Sequence, residues 1–226
     1  WGARLLYNYV WPGGLSHDLP PKFIDETRKF LDYFLPQIDE YNQLLTTNKI
    51  FIERSADVGI IPLDVGINFG VTGPSLRGSG STFDLRKDEP YSVYDKFDFN
   101  VPVGEGLMGT VGDCWDRYYV KVLEMKESAK IITQALDGLP NGDVHEVMPK
   151  KIRPKPGEVY SRYESARGDV GFYIRSDGKN IPSRLKMRSP AYCNLSILNE
   201  ISAGWMISDV IAALGSLDIV LGEIDR

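Results

Sequence analysis

Gly112-Asp-Cys-Trp-Asp-Arg-Tyr-Tyr-Val-Lys121 opens the most regular stretch of this 226-residue chain, which runs on through Leu136 to Gly138-Leu-Pro140. Apolar or aromatic side chains fall at Cys114, Tyr118, Val122, Met125, Ala129, Ile132 and Leu136. Steps of three and four residues place them on one face of a helix. Gly112-Asp113 stands where a cap belongs, and Gly138 and Pro140 stop the helix. A stripe this regular is a packing face before it is anything else, so the segment predicts a long core helix.

Upstream, Asp18-Leu-Pro-Pro predicts a helix start with prolines in the first turn. Phe23, Phe30, Leu31, Phe34, Ile38, Tyr41 and Leu45 then share one helical face, with a kink expected at Pro36. Residues 50–57 read as a short helix. Residues 58–82 are rich in glycine and read as loop with close backbone approaches. Asp84 to Pro102 alternates and is rich in Tyr and Phe, which predicts extended structure.

Downstream, residues 141–157 carry Pro149, Pro154 and Pro156 and read as a linker. Glu158–Ser176 and Ser183–Arg188 read as strands, with turns at Arg167-Gly168 and Asp177-Gly178. Asn194–Leu214 reads as helix, divided at Gly204. The fold class expected is α+β: long helices packed together plus a small antiparallel sheet. Residues 1–140 form a helical core with Gly-rich loops. Residues 141–226 add the sheet and the C-terminal helices that complete the same domain.

Composition narrows the function classes. A hydrophobic share of 42% with 25% charged residues is that of a globular protein, which excludes disordered and collagen-like chains. The longest stretch without Asp, Glu, Lys or Arg, Leu5 to His17, is shorter than the ~20 residues of a membrane-spanning helix. The aromatic start at Trp1, without Met, predicts a fragment of a longer protein. Two cysteines, Cys114 and Cys193, make a disulfide scaffold or a four-cysteine metal site untenable, and a reducing compartment is the default. With two histidines, His17 and His145, no His-rich metal centre is expected.

Charge is unevenly spread. Lys150 to Arg188 holds eleven Lys/Arg against four Asp/Glu, a local excess of +7 in a chain of net charge −5. One reading is a solvated sheet face; the other is a surface that docks on an acidic partner. Nucleic acid fits poorly with the acidic remainder.

Gly73-Pro-Ser-Leu-Arg-Gly-Ser-Gly80 has the glycines of a phosphate loop but neither the Gly-x4-Gly-Lys-Ser/Thr nor the Gly-x-Gly-x-x-Gly spacing. It reads as a tight structural loop with Arg77 as a buried charge anchor. No Gly-x-Ser-x-Gly elbow is present. In the tail, Asp218 lies between Leu217 and Ile219, which predicts a partly buried carboxylate. Either a capping role or proton exchange fits such a residue.

Six segments carry a resemblance: Tyr7 to Gly14, Asp18-Leu-Pro20, Gly73 to Gly80, Asp84-Leu-Arg-Lys-Asp-Glu-Pro-Tyr91, Gly112 to Tyr119, and Gly215 to Arg226. In order and over the whole chain they resemble the D subunit of the proton-pumping NADH–quinone oxidoreductase, respiratory complex I. That family is related to nickel–iron hydrogenase large subunits, and the resemblance implies a hydrogenase-large-subunit-like fold. It also implies a peripheral subunit on the cytoplasmic side of the inner (cell) membrane. Such a subunit forms a quinone chamber with the small iron–sulfur subunit and adjoins the membrane arm. The 4Fe-4S cluster, FMN and NADH belong to partner subunits, quinone is the substrate, and this chain itself binds no metal or cofactor. The family's His-containing loop and nearby Tyr, upstream parts of the quinone site, are absent, so the fragment alone is expected to be inactive. The ending Gly-Glu-Ile-Asp-Arg226 resembles the family's own terminus.

Hydrogenase itself is excluded, because the tail has no Cys-x-x-Cys to bind nickel. A ferredoxin- or deazaflavin-linked quinone reductase, or a non-catalytic scaffold fragment, stays open. The resemblance assigns four positions. Asp218 matches the acidic residue at the quinone chamber and its proton path, with tail charges Glu223, Asp225 and Arg226 as its expected neighbours. Val220 matches a quinone-pocket position. Arg226 matches the terminal Arg near the partner's cluster. Arg167 matches a basic residue facing the membrane-arm junction, although Ala166 replaces the family's usual Pro.

Overall fold

The computed structural model describes residues 8–225; the aromatic stretch from Trp1 to Tyr7 and Arg226 lie outside them. The chain begins with a two-stranded ribbon, β1 (Val10–Trp11) and β2 (Gly14–Leu15). The linker is pinned to this ribbon by Leu15 N–H to the Val144 carbonyl and Glu146 N–H to the Gly13 carbonyl.

Helix α1 (Phe23–Tyr41) starts later than the sequence suggests. Pro20 and Pro21 precede it, and Lys22, at φ 67°, turns the chain in. The helix continues without interruption through Pro36, and its irregularity comes beyond, as a π-helical turn at Asn42–Thr46. Next comes α2 (Lys49–Ser55), capped by the Asn48 side chain, which accepts from the Ile50 and Phe51 amides. The Gly-rich region then contains two short helices, α3 (Leu63–Asn68) and α4 (Pro74–Arg77).

Asp84–Pro102 does not form the extended element that its pattern predicts. It holds α5 (Leu85–Asp88) and a 3-10 turn at Tyr94–Lys96, and no strand. The Asp84 side chain caps the Arg86 amide, and Tyr94 makes edge contacts with Tyr91, Phe97 and Phe99. The aromatic residues that suggested a strand pack on one another instead, with Lys87 over the Phe99 ring at 4.1 Å.

The long helix α6 (Cys114–Asp137) is where the periodicity predicts it. The Asp113 carboxylate caps it by accepting from the Asp116 amide at 2.8 Å. After the linker, β3 (Gly157–Ser165), β4 (Gly168–Ser176) and β5 (Arg184–Arg188) form an antiparallel meander with β4 in the centre. The C-terminal region divides three ways. The helices are α7 (Pro190–Ser196), α8 (Leu198–Ser202) and α9 (Ile207–Ser216), with Gly204 (φ 85°) between the last two. The short α10 (Leu221–Ile224) follows.

One buried cluster joins Val58, Ile61, Val71, Leu76 and Cys114 to Ile197, Ile201, Ala213 and Leu217. Burying Leu217 at the start of the tail contributes on the order of 2 kcal/mol and fixes the residues after it. A smaller cluster, Leu31 with Ala129 and Leu136, ties α1 to α6. Of the expected stripes, Ile38 and Val122 are also buried, whereas Phe30, Tyr41, Leu45 and Ile132 are exposed.

Two backbones cross where the Gly-rich loop meets the β3–β4 turn. A Cβ on Gly73 (φ 69°) would lie 2.5 Å from the Arg167 carbonyl oxygen, and one on Gly168 (φ 128°) 2.5 Å from Thr72 Oγ1. Only glycine fits either position.

Candidate functional site

The site is built around the buried guanidinium of Arg77, 1% exposed at the end of α4. Its Nε donates to Glu124 at 2.8 Å, and its Nη1 to Glu164 at 2.9 Å and to the Phe83 carbonyl at 3.2 Å. Asp84 lies 3.4 Å from the same Nη1 and takes a two-pronged contact from Arg86 at 2.9 and 2.6 Å. The charge anchor read in the loop is therefore the hub of a net spanning α4, α5, α6 and β3. Burial pushes the Glu124 and Glu164 carboxyls up, against the pull of Arg77. Burial also opposes the charge on Asp84, but Arg86 and Arg77 outweigh it and hold that carboxyl below its usual range.

Helix α6 turns a row of charges inward at Arg117, Lys121 and Glu124, spaced four and three residues apart. Arg117 binds the Gly59 and Gly112 carbonyls and the Ser216 hydroxyl, which locks the helix start to the end of α9. One turn on, Lys121 Nζ donates to the Ser216 carbonyl at 2.9 Å and lies 3.7 Å from Asp218 Oδ2. Burial pushes the Lys121 ammonium pKa down, and Asp218 works against that shift.

Asp218 itself sits at φ 55°, a left-handed conformation that non-glycine residues adopt sparingly. Its side chain is 42% exposed, so the expected partial burial is met. Its backbone carbonyl accepts from Arg167 Nε at 3.0 Å, and its Oδ1 faces Arg167 Nη2 at 3.5 Å. The cations that contact it among the described residues are thus Arg167 and Lys121, neither of which belongs to the tail. Arg226 lies outside the described residues.

Arg167 occupies the tip of the β3–β4 hairpin, and this tip is held from several sides. Its amide donates to Ser165 Oγ at 3.2 Å, and its carbonyl accepts from the buried Asn194 at 3.2 Å. Asn194 also accepts from the Thr72 amide, so α7 and the Gly-rich loop position the hairpin together.

Two clefts flank the Arg167–Asp218 pair. The first, about 620 Å³, has Phe30, Phe34 and Met125 on its apolar side. Arg77, Glu124 and Asp218 line its charged side. The second, about 460 Å³, is lined by Arg167, Val170, Phe172, Val220 and Glu223. Asp218 and Val220 therefore face different clefts, and Arg167 connects them. Two of the exposed stripe residues are explained here: Phe30 and Ile132 line a cleft rather than a core. Sequence reading missed Lys121, Glu124 and Glu164; the only signal was a charged i, i+4, i+7 row on α6 beside the apolar stripe.

Among the described residues no group of three or more His, Cys, Asp or Glu is arranged to hold a metal ion, and both cysteines are free. None of the described helices is long and apolar enough to cross a membrane.

Fold and site define an α+β protein whose C-terminal tail presents a carboxylate, clamped by two cations, between two amphipathic clefts. The chain belongs to the family described as respiratory-chain NADH dehydrogenase, 49 Kd subunit, whose model matches residues 1–155 and 144–226. It is 53% identical over its full length to the D subunit of the NADH-quinone oxidoreductase of Chlorobaculum tepidum and 51% identical to that of Chlorobium phaeovibrioides. A D1 subunit of the Cytophaga hutchinsonii enzyme is also 51% identical. The chain covers 57%, 57% and 59% of these three relatives, so it spans a little over half their length.

Proposed function

We propose that this chain is the quinone-facing, C-terminal part of a D subunit of NADH–quinone oxidoreductase, with the related hydrogenase-large-subunit fold. The observation that carries this reading is Asp218, held by Arg167 and Lys121 at 3.5 and 3.7 Å between clefts that each have an apolar and a charged side. A quinone needs both: an apolar wall for ring and tail, and polar groups near its carbonyl oxygens. Reduction to the quinol consumes two electrons and two protons. A partner subunit's 4Fe-4S cluster supplies the electrons, which reach it from NADH and FMN in further subunits. The present chain handles protons and position.

In this reading Asp218 holds or passes a proton at the chamber. Arg167, from the hairpin, and Lys121, from α6, position its carboxylate. Val220 lines the quinone pocket, Arg226 lies toward the partner's cluster, and Arg167 stands near the junction with the membrane arm. The subunit attaches peripherally to the cytoplasmic side of the inner membrane through its partners. Residues 1–140 and 141–226 act as one domain, since one buried cluster draws on both. The chain alone is inactive.

Asp218→Asn in the intact enzyme tests this. It keeps the shape of the side chain and removes its charge. Quinone reduction is expected to slow about a hundred-fold or more, the range of a lost acid–base group, while NADH oxidation by ferricyanide stays normal. Full, proton-coupled quinone turnover in that variant leaves Asp218 as a turn residue and overturns the proposal.

A further inference from the structure

We propose that the outer end of the β3–β4–β5 sheet, with the Lys150–Lys155 segment, is a docking surface for an acidic surface on another protein subunit. This rests on the reading of the chain as one subunit of a larger enzyme and adds where one partner binds.

The basic excess of residues 150–188 divides in two. Arg162 is engaged by Glu89 and Asp169, Arg167 by Asp218, Lys179 by Asp177, and Arg188 by Asp169 and the Gly70 carbonyl. Those four are engaged within the chain. Lys150, Lys151, Arg153 and Lys155 are exposed along a segment without regular structure. Arg175, Arg184 and Lys186 are exposed on the sheet. None of these seven has an ion-pair partner among the described residues.

The register sharpens the point. Arg175 lies directly opposite Arg184, and Tyr173 opposite Lys186, so the three cations share one face. Glu158, opposite Arg175 on β3, accepts from the Tyr173 hydroxyl at 2.5 Å. Like charges placed directly across two strands are destabilising within the chain. A lysine on an edge strand guards against aggregation, but that accounts for Lys186 and not for a facing pair of arginines. On the other face Val159, Ile174 and Leu185 are also in register, forming a row across all three strands. They are 57%, 39% and 50% exposed. Unpaired cations on one face and an uncovered apolar row on the other are both features that a protein partner wrapping the sheet end would cover.

The occupant has to meet both faces. An anionic bilayer is flat and reaches one face of a sheet end. Nucleic acid uses the cations and leaves the aliphatic row bare. A protein that folds over the end of the sheet, with carboxylates toward Arg175 and Arg184, covers both.

The test uses the intact, affinity-tagged complex with a photo-cross-linking benzoylphenylalanine in place of Leu185. The expected product joins this chain to a different subunit, within a segment where Asp and Glu outnumber Lys and Arg. Its yield should fall roughly ten-fold in an Arg175→Glu, Arg184→Glu, Lys186→Glu variant and return when the partner's carboxylates are exchanged for lysines. If the Glu variant does not fold, Arg175→Gln, Arg184→Gln, Lys186→Gln replaces it, with a smaller expected loss. Cross-links to a second copy of this chain, to phosphatidylglycerol or to no protein overturn the proposal, as does an undiminished yield in the folded variant. A tagged chain that purifies with no other subunit refutes the functional reading instead. Co-purifying subunits that cross-link elsewhere refute only the docking surface.

Discussion

Arg167 donates from Nε to the backbone carbonyl of Asp218 at 3.0 Å, which joins the tip of a hairpin to the C-terminal tail across 51 residues of sequence. The contact fixes the tail's backbone as well as facing its carboxylate. A neighbour that held only the side chain would leave Asp218 free to leave its left-handed conformation. Arg167 therefore positions the tail acid through both its backbone and its side chain.

From this follows a coupling prediction. Arg167→Met and Asp218→Asn should each slow quinone reduction in the intact enzyme. Because the two residues act through one contact, the double variant should be little slower than the worse single one. The interaction energy from a double-mutant cycle should come out near 1 kcal/mol. Steady-state rates with a soluble quinone analogue measure it, and simple additivity of the two losses would separate the residues functionally.

The ionic net predicts a large stability loss at one position. Arg77→Met leaves Glu124, Glu164 and Asp84 facing one another with one cation fewer, in a setting where Arg77 is 1% exposed. Removing one partner of a buried ion pair costs about 3–5 kcal/mol. Urea unfolding should show that loss, and adding Glu164→Gln should recover part of it. Unchanged stability would mean that the net is solvated in solution.

Lys121 gives a prediction with a defined pH sign. Its folded-state pKa is depressed below the ordinary value of 10.5, chiefly by burial. A depressed group contributes stability that is present above its unfolded pKa and lost as pH falls through its folded pKa. At neutral pH the buried ammonium is therefore a net cost. Lys121→Met should leave the protein as stable or more stable near pH 7, by up to about 1 kcal/mol. That gain should shrink as pH rises toward 10.5, while quinone turnover falls at all pH values. Thermal melts across the range check the sign; destabilisation at pH 7 would show that the Asp218 pair outweighs burial.

Backbone contact predicts the effect of a single methyl group. Gly73→Ala places a Cβ 2.5 Å from the Arg167 carbonyl and requires φ 69° of an L-residue. The cost should be at least about 2 kcal/mol. The hairpin tip should also shift, so quinone turnover should fall along with stability. Gly142→Ala, also at positive φ but with open space around its Cβ, is the control for conformation without a clash.

The strands of the hairpin and the long helix were readable because each repeats a simple local pattern. Alternation between turn residues marked β3, β4 and β5, and a stripe at steps of three and four marked α6. Arg77 was readable as an anchor because a lone cation in a glycine-rich loop has few alternatives. The stretch from Asp84 to Pro102 forms no strand, for the opposite reason. Its aromatic residues favour strands only where a neighbouring strand exists, and here they found one another.

What the residues determine on their own is local: the periodicities, the Asp113 cap, the basic excess after Lys150 and the tail acid at Asp218. Which groups meet was decided in three dimensions. Lys121 and Glu124 look like ordinary helix charges until Ser216, Arg77 and Asp218 close over them. Arg167 was legible as a basic turn residue and not as the partner of the tail. Periodicity is carried by residues three or four apart, whereas a contact such as Arg167 to Asp218 depends on how every intervening element packs. The burial of Leu217 brings the tail within reach, and the Gly73–Gly168 crossing holds the hairpin there to meet it.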